Sequence, residues 1–276
     1  MSRPRPQYWL IALLALLGLA PTAWSIAPPG QWWNTSYAQR LRVSVTTTTS
    51  IVTGYSVKVV LNHAGLVAAG KSLASGDDVR VVYWNGATWT EIDRVLEYGS
   101  GWNSATTTMW FKTQAAIGTN TVDDNYYIYY GNAAAGAPPA NADNIFLMSD
   151  DFTGASLNAA KWTVASGSAT VAGGLLTVNA NSTVWATAAY SFGTDTRWEA
   201  QLRLSVANPA TVYYWGGSDV NGQTGNYFSF RSDGSNHRAL EHPSGGGTSQ
   251  NAVTATNTTT LQTYQIDRIG TGQLDF

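Results

Sequence analysis

The chain is predicted to be all-β, with two antiparallel β-sandwich domains in tandem after a signal peptide. Three observations carry this. Residues 197–206 (RWEAQLRLSV) alternate without a break, with Trp198, Ala200, Leu202, Leu204 and Val206 on one face and Arg197, Glu199, Gln201, Arg203 and Ser205 on the other. That is the period-two pattern of a long strand with one buried and one wet face. Short runs of strand-forming residues separated by turn-formers recur along the rest of the chain, with no long helical period. Only 12% of the 276 residues are charged, while Gly, Thr, Ser, Asn and aromatics abound, a balance of extracellular β-proteins rather than helical cytosolic enzymes.

The first 25 residues read as an export signal. Arg3 and Arg5 form a positive start, Trp9 to Ala20 an apolar core, and Ala23-Trp24-Ser25 a small-x-small cleavage site. Twelve apolar residues fall short of the roughly 20 that span a bilayer; the alternative is an uncleaved N-terminal anchor. The sequence holds no Cys, so stability rests on core burial, and thiol chemistry, Cys-ligated metals and lipoprotein anchoring are excluded. A net charge of −2 supplies no basic field for phosphates or anionic lipid, so neither nucleic acid nor a membrane surface is an expected partner. The expected location is extracellular, cell-surface or periplasmic, in an exported prokaryotic protein.

After the linker-like Ala27-Pro28-Pro29-Gly30, folding is expected to begin at Trp32-Trp33. Strands are predicted over residues 41–47, 55–61, 78–84, 106–112 and 125–130, with turns at Asn85-Gly86 and Gly99-Ser100-Gly101 and at most a short helix over 66–74. Residues 131–143 (GNAAAGAPPANAD) lack alternation, and 136–143 are read as the interdomain linker. The first domain is thus placed at 31–135 and the second at 144–276, with strands over 168–171, 174–179, 183–192, 197–206, 212–216, 226–231 and 262–269. The chain stops at Phe276 just as a partner for the last strand should form, so the second sandwich is expected to be incomplete.

Several features occur in fixed order: Trp32-Trp33 with Tyr37, then Ser75-Gly76-Asp77-Asp78-Val79-Arg80, Arg94-Val95-Leu96-Glu97, Met109-Trp110-Phe111-Lys112, and Ile128-Tyr129-Tyr130-Gly131-Asn132. Over roughly residues 31–135 this resembles the uncharacterised prokaryotic domain of unknown function 2341. That family occurs in large secreted or surface proteins and at the front of some MotA/TolQ/ExbB-type proton-channel proteins. The second part, with Asp150-Asp151-Phe152, Leu157, Lys161-Trp162 and Gly173-Gly174-Leu175-Leu176-Thr177-Val178, resembles a concanavalin A-like, laminin-G-like sandwich. The two resemblances imply jelly-roll-like domains and an extracellular interaction role, and they bring no established catalytic residues.

Candidate chemistry is sparse. Asp78, Arg80 and Glu97 align best with the first family's polar signature; they form either a ligand-contacting cluster or, as the preferred reading, a fold-specific ion-pair network. Glu91 and Glu97 on one strand would lie roughly 20 Å apart, too far for the about 5 to 9.5 Å of a glycosidase pair. Asp150 and Asp151 are candidate calcium ligands, the one cofactor in view, although Asp is equally favoured at turns. His63, His237 and His242 are dispersed and suggest no zinc site. Stretches 212–217 (VYYWGG) and 226–231 (NYFSFR) carry aromatics on both strand faces. Tyr214, Trp215, Tyr227 and Arg231 are therefore the candidate ligand-binding residues, by stacking on a sugar ring, with ordinary sheet packing as the alternative.

The expected function is a secreted, non-catalytic binding or adhesion protein whose partners are glycans or other surface proteins. Its rivals are a structural spacer and a concanavalin A-like glycoside hydrolase, the latter drawing on Glu199, Asp219, Asp233 and Glu241.

Overall fold

A computed structural model describes residues 11–12, 32–188, 190, 196–205, 212–218, 227–233, 236–242, 249–253, 259–269 and 273–275. The chain divides into two compact units, Met1–Ser149 and Asp150–Phe276.

The first unit is built from β1 (Ile11–Ala12), β2 (Gln39–Thr46), β3 (Ser56–Leu61), β4 (Arg80–Trp84), β5 (Trp89–Ile92), β6 (Val95–Leu96), β7 (Thr107–Lys112) and β8 (Val122–Tyr130). One sheet runs β1-β3-β7-β6 and the other β2-β8-β4-β5. Apart from the short parallel contact of β1 with β3, the pairings are antiparallel. Val57, Val59, Leu61, Met109 and Phe111 from the first sheet meet Val43, Val45, Val81, Ile92, Tyr126 and Ile128 from the second in one buried cluster. Alternation therefore does here what the fold class requires, sending every second residue of these strands inward.

β8 departs from simple alternation for a reason the structure supplies. It is the central strand between β2 and β4, and both of its faces are covered. Tyr126, Ile128 and Tyr130 enter the core, while Tyr127 and Tyr129 are buried on the outer face under Trp32, Trp33, Tyr37 and Trp89. The Trp32 indole donates to the Tyr37 carbonyl at 2.9 Å and the Trp33 N–H to the Tyr129 hydroxyl at 3.0 Å, fastening the residues before β2 over the sheet.

The helix α1 spans His63–Ala68, and the Asn62 side chain caps it by accepting from the Gly65 N–H. It begins three residues before the expected 66–74 segment and ends at Ala68, six residues short of it. The Gly, Ala and Pro segment read as a linker is tied to the first unit. Arg80 donates to the Gly136 carbonyl at 2.5 Å, the Arg94 N–H to the Pro139 carbonyl at 3.1 Å, and the Asn141 N–H to Asp93 at 2.6 Å. Beyond it, Ile145 is 1% exposed, and its carbonyl accepts from Ser56 Oγ at 2.6 Å.

The second unit contains β9 (Trp162–Ser166), β10 (Ala169–Ala172), β11 (Leu175–Val178), β12 (Thr183–Ala186), β13 (Thr196–Leu202), β14 (Tyr213–Ser218), β15 (Tyr227–Asp233), β16 (Asn236–His242), β17 (Ser249–Val253), β18 (Gln262–Ile269) and β19 (Gln273–Asp275). β10 and β11 form a hairpin across Gly173-Gly174, whose φ values of +58° and +74° fit the turn that two glycines favour. The larger sheets run β13-β18-β19 and β14-β15-β16-β17. They share a core of Phe230, Tyr264 and Ile266 with Trp198, Leu202, Trp215 and Phe228 packed against it.

The alternating segment behaves as its period demands over Thr196–Leu202. Trp198 and Leu202 face that core, while Arg197 meets its cross-strand neighbour Asp267 with two hydrogen bonds of 2.7 and 3.0 Å. Arg203, Leu204 and Ser205 have left the ladder, and Val206 lies outside the described residues.

Candidate functional site

The Ser75–Arg80 motif builds a buried polar lock. Asp78 is 0% exposed, and its carboxylate accepts from Ser72 Oγ at 2.9 Å, the Leu73 N–H at 3.0 Å and the Gly131 N–H at 2.7 Å. Because the Ser72 hydroxyl donates to Asp78, its oxygen is left to accept from His63 Nε2 at 3.0 Å. His63 Nδ1 then accepts from the Asn103 N–H at 2.8 Å. The network thereby fixes a neutral imidazole with its proton on Nε2. Burial holds His63 below its ordinary pKa; Asp78 opposes that shift and Arg94 adds to it. Histidine, serine and aspartate are in contact, but serine stands in the middle and gives its proton to the carboxylate. The imidazole is therefore not placed to deprotonate it, which is the reverse of a nucleophilic triad.

Arg94 closes the other side. Its Nε donates to the Val79 carbonyl at 2.8 Å and Nη2 to the Gly76 carbonyl at 2.6 Å, with the guanidinium 4.2 Å from the Trp102 ring centroid. Burial chiefly, and then the charge of Arg80, lowers its pKa to about 10, so it stays charged at neutral pH.

The expected cluster of Asp78, Arg80 and Glu97 is divided among three places. Glu97 follows β6 in the sheet opposite to β4 and pairs with Lys58 at 3.0 Å. Arg80 sits on the outer face of its sheet, where Nε donates to the Tyr37 hydroxyl at 2.8 Å and approaches Glu91 Oε1 to 3.0 Å without hydrogen-bond alignment. Burial raises the Glu91 pKa against the opposing pull of Arg80. The role of Glu91 is visible only once β5 is registered against β4, with Glu91 opposite Val82.

In the second unit, Tyr214 and Arg231 are cross-strand neighbours, with the guanidinium 5.9 Å from the ring centroid and Tyr214 47% exposed. Tyr227 shares the Arg231 face of β15, four residues away. Trp215 points the other way, its ring 6.2 Å from Phe230 and 5.1 Å from Tyr264. The four candidates thus separate into three on the outer face and one in the core. Strand alternation carries this signal, since Trp215 is out of phase with Tyr214.

Asp150 and Asp151 are engaged locally. Asp150 accepts from the Trp162 indole at 2.8 Å and the Phe152 N–H at 2.9 Å, and Asp151 from the Thr153 hydroxyl at 2.8 Å. The Thr153 bonds hold Asp151 below its ordinary pKa. The Phe152 and Thr153 bonds are Asx-type turn contacts and the Trp162 bond ties the turn to β9; among the described residues no three His, Asp or Glu side chains converge as a metal site would need. Glu199 lies exposed on β13, whereas the side chains of Asp219, Asp233, Glu241, His237 and His242 lie outside those described.

Fold and site together define an all-β chain of two antiparallel sheet units in which buried polar groups lock loops to strands. Residues 75–165 match the family described as Domain of unknown function (DUF2341). The match covers about a third of the chain, from the turn before β4 into β9, and takes in Asp78, Arg80, Arg94 and Gly131. It supports the resemblance carried by the first part of the sequence. No curated protein and no solved structure matches the chain. Among the described residues no helix is long and apolar enough to cross a membrane.

Proposed function

We propose that this is an exported surface protein that binds rather than transforms its ligand, and that its second unit is a concanavalin A-like, laminin-G-like module recognising glycans. The observation that carries the reading is the half-exposed Tyr214 ring held beside the Arg231 guanidinium on the outer face of β14 and β15, with Tyr227 on the same face. A flat ring stacks on the apolar face of a pyranose, and a neighbouring guanidinium donates to its hydroxyls. The leader-like first 25 residues and the DUF2341 match agree with a surface role. His63, fully engaged and buried, offers no base to solvent.

The test is a glycan array probed with the purified protein lacking residues 1–25, with and without calcium. Binding that the Tyr214→Ala, Tyr227→Ala double variant abolishes supports the proposal. A blank array from folded protein overturns it in favour of a structural spacer.

A further inference from the structure

A continuous aromatic shelf lies on the outer face of β2-β8-β4-β5, in the first unit. Arg40 stands over the Trp32 ring at 4.6 Å and the Tyr127 ring at 5.3 Å. Tyr127 meets Trp89 at 5.3 Å, and Trp89 meets Trp84 at 5.0 Å with the two indole planes inclined by 49°. Tyr127 is buried beneath, while Arg40, Trp32, Trp84 and Trp89 are each half-buried and present part of their surface outward.

Charge on this face is uneven. Arg42 is matched by Asp124, with Nη2 3.3 Å from its carboxylate, and Arg80 by Glu91 at 3.0 Å. Arg40 has no carboxylate partner among the described residues; its Nη1 donates to the Tyr129 hydroxyl at 3.1 Å, and the rings hold it in place. Below the shelf, Arg80 Nη1 and Trp89 Nε1 are buried without a hydrogen-bond partner among the described residues, and Glu91 Oε1 meets Arg80 only through their ion pair. A face of partly exposed indoles around one cation without a carboxylate partner among the described residues suits a polar, anionic occupant better than an apolar protein cover.

We infer that this face is a second binding site, for glycans bearing carboxylates such as uronic-acid oligosaccharides. The indoles of Trp84 and Trp89 stack on the sugar rings, and the pre-positioned Arg40 fork takes the carboxylate in a bidentate pair. The site is separate from the Tyr214 face of the second unit and does not depend on it.

The experiment is calorimetric titration of the purified chain with oligogalacturonides and with their methyl-esterified counterparts, which share a backbone and lack the charge. Four forms are compared: the parent protein, Trp84→Ala, Arg40→Gln, and the Tyr214→Ala, Tyr227→Ala double variant, each checked for an unchanged unfolding midpoint. The expected result is binding of the acid form at least tenfold tighter than the ester, falling with added salt. Trp84→Ala weakens both forms, Arg40→Gln removes the preference, and the double variant retains it. No binding of the acid form by folded parent protein overturns the inference, as does equal binding by all four forms. Loss of all binding in the double variant assigns the ligand to the second unit and overturns it as well. Should Trp84→Ala instead dissolve a dimer seen by sedimentation, the occupant is a second copy of the chain, and the inference fails.

Discussion

The ring of Trp102 lies directly over Gly76, so close that a Cβ built on the glycine would stand 2.1 Å from its Cδ2 atom. Gly76 also has φ +72°, a conformation that side chains avoid. Its carbonyl accepts from Arg94, whose guanidinium lies 4.2 Å from the centroid of the same ring. Gly76→Ala therefore meets two penalties, about 1–2 kcal/mol for the left-handed backbone and about 1–3 kcal/mol for the overpacked ring. Gly86→Ala, at φ +96° with nothing within 4 Å of the new atom, meets only the first. Urea unfolding of the two variants should separate them by the size of the packing term; equal losses would show that Trp102 yields freely.

His63 makes the lock sensitive to acid. Its folded pKa is depressed, so between that value and the unfolded value of about 6.5 the unfolded chain binds the extra proton. Stability then rises with pH through this window. The contribution is whole above about pH 6.5 and is lost as pH falls toward the folded pKa, because an imidazolium would turn a second N–H toward the Asn103 donor. Denaturation midpoints measured from pH 7.5 to 5 should fall for the parent protein. In His63→Gln they should start lower, by about 1–3 kcal/mol for the broken buried network, and fall less steeply. Parallel slopes would assign the acid sensitivity to another group.

Neighbours on one strand should respond in opposite ways in the second unit. Trp215 packs against both Phe230 and Tyr264, and Trp215→Ala should cost about 3–5 kcal/mol. Tyr214 is 47% exposed, and Tyr214→Ala should leave the unfolding midpoint within about 0.5 kcal/mol while weakening glycan binding. A destabilised Tyr214→Ala would mean that the outer face packs against something in the folded protein.

Much of the fold is readable where alternation is undisturbed. Trp198 and Leu202 go inward, and Arg197 meets Asp267 across the ladder. Such patterns report which face is buried, because burial acts on every second residue. They fail where both faces are covered, as at Tyr126 to Tyr130, and where a pairing joins distant segments. The binding shelf is of the second kind. Arg40, Trp84, Trp89 and Tyr127 come from four strands, and nothing within any one strand marks them as neighbours. The division of Glu97 from Arg80 is equally invisible, since it depends on β5 and β6 entering different sheets.

The segment before the second unit offers a final test, because sequence composition and structure point in different directions. Its Gly, Ala and Pro content marks residues 131–143 as a flexible connector, yet Asp93 accepts from the Asn141 N–H at 2.6 Å and the Asn144 side chain at 2.9 Å. Arg80 meanwhile holds the Gly136 carbonyl. A segment so tied resists proteases only while those bonds last, since cleavage needs a locally opened chain. Asp93→Ala removes two of the ties and should lower global stability by only about 1–2 kcal/mol. Cleavage within 131–145 under limited proteolysis should nevertheless quicken several-fold, with N-terminal sequencing placing the cut. Unchanged cleavage would mean that Arg80 and the buried Ile145 hold the segment without Asp93. Rapid cleavage of the parent protein would restore the view of a free linker.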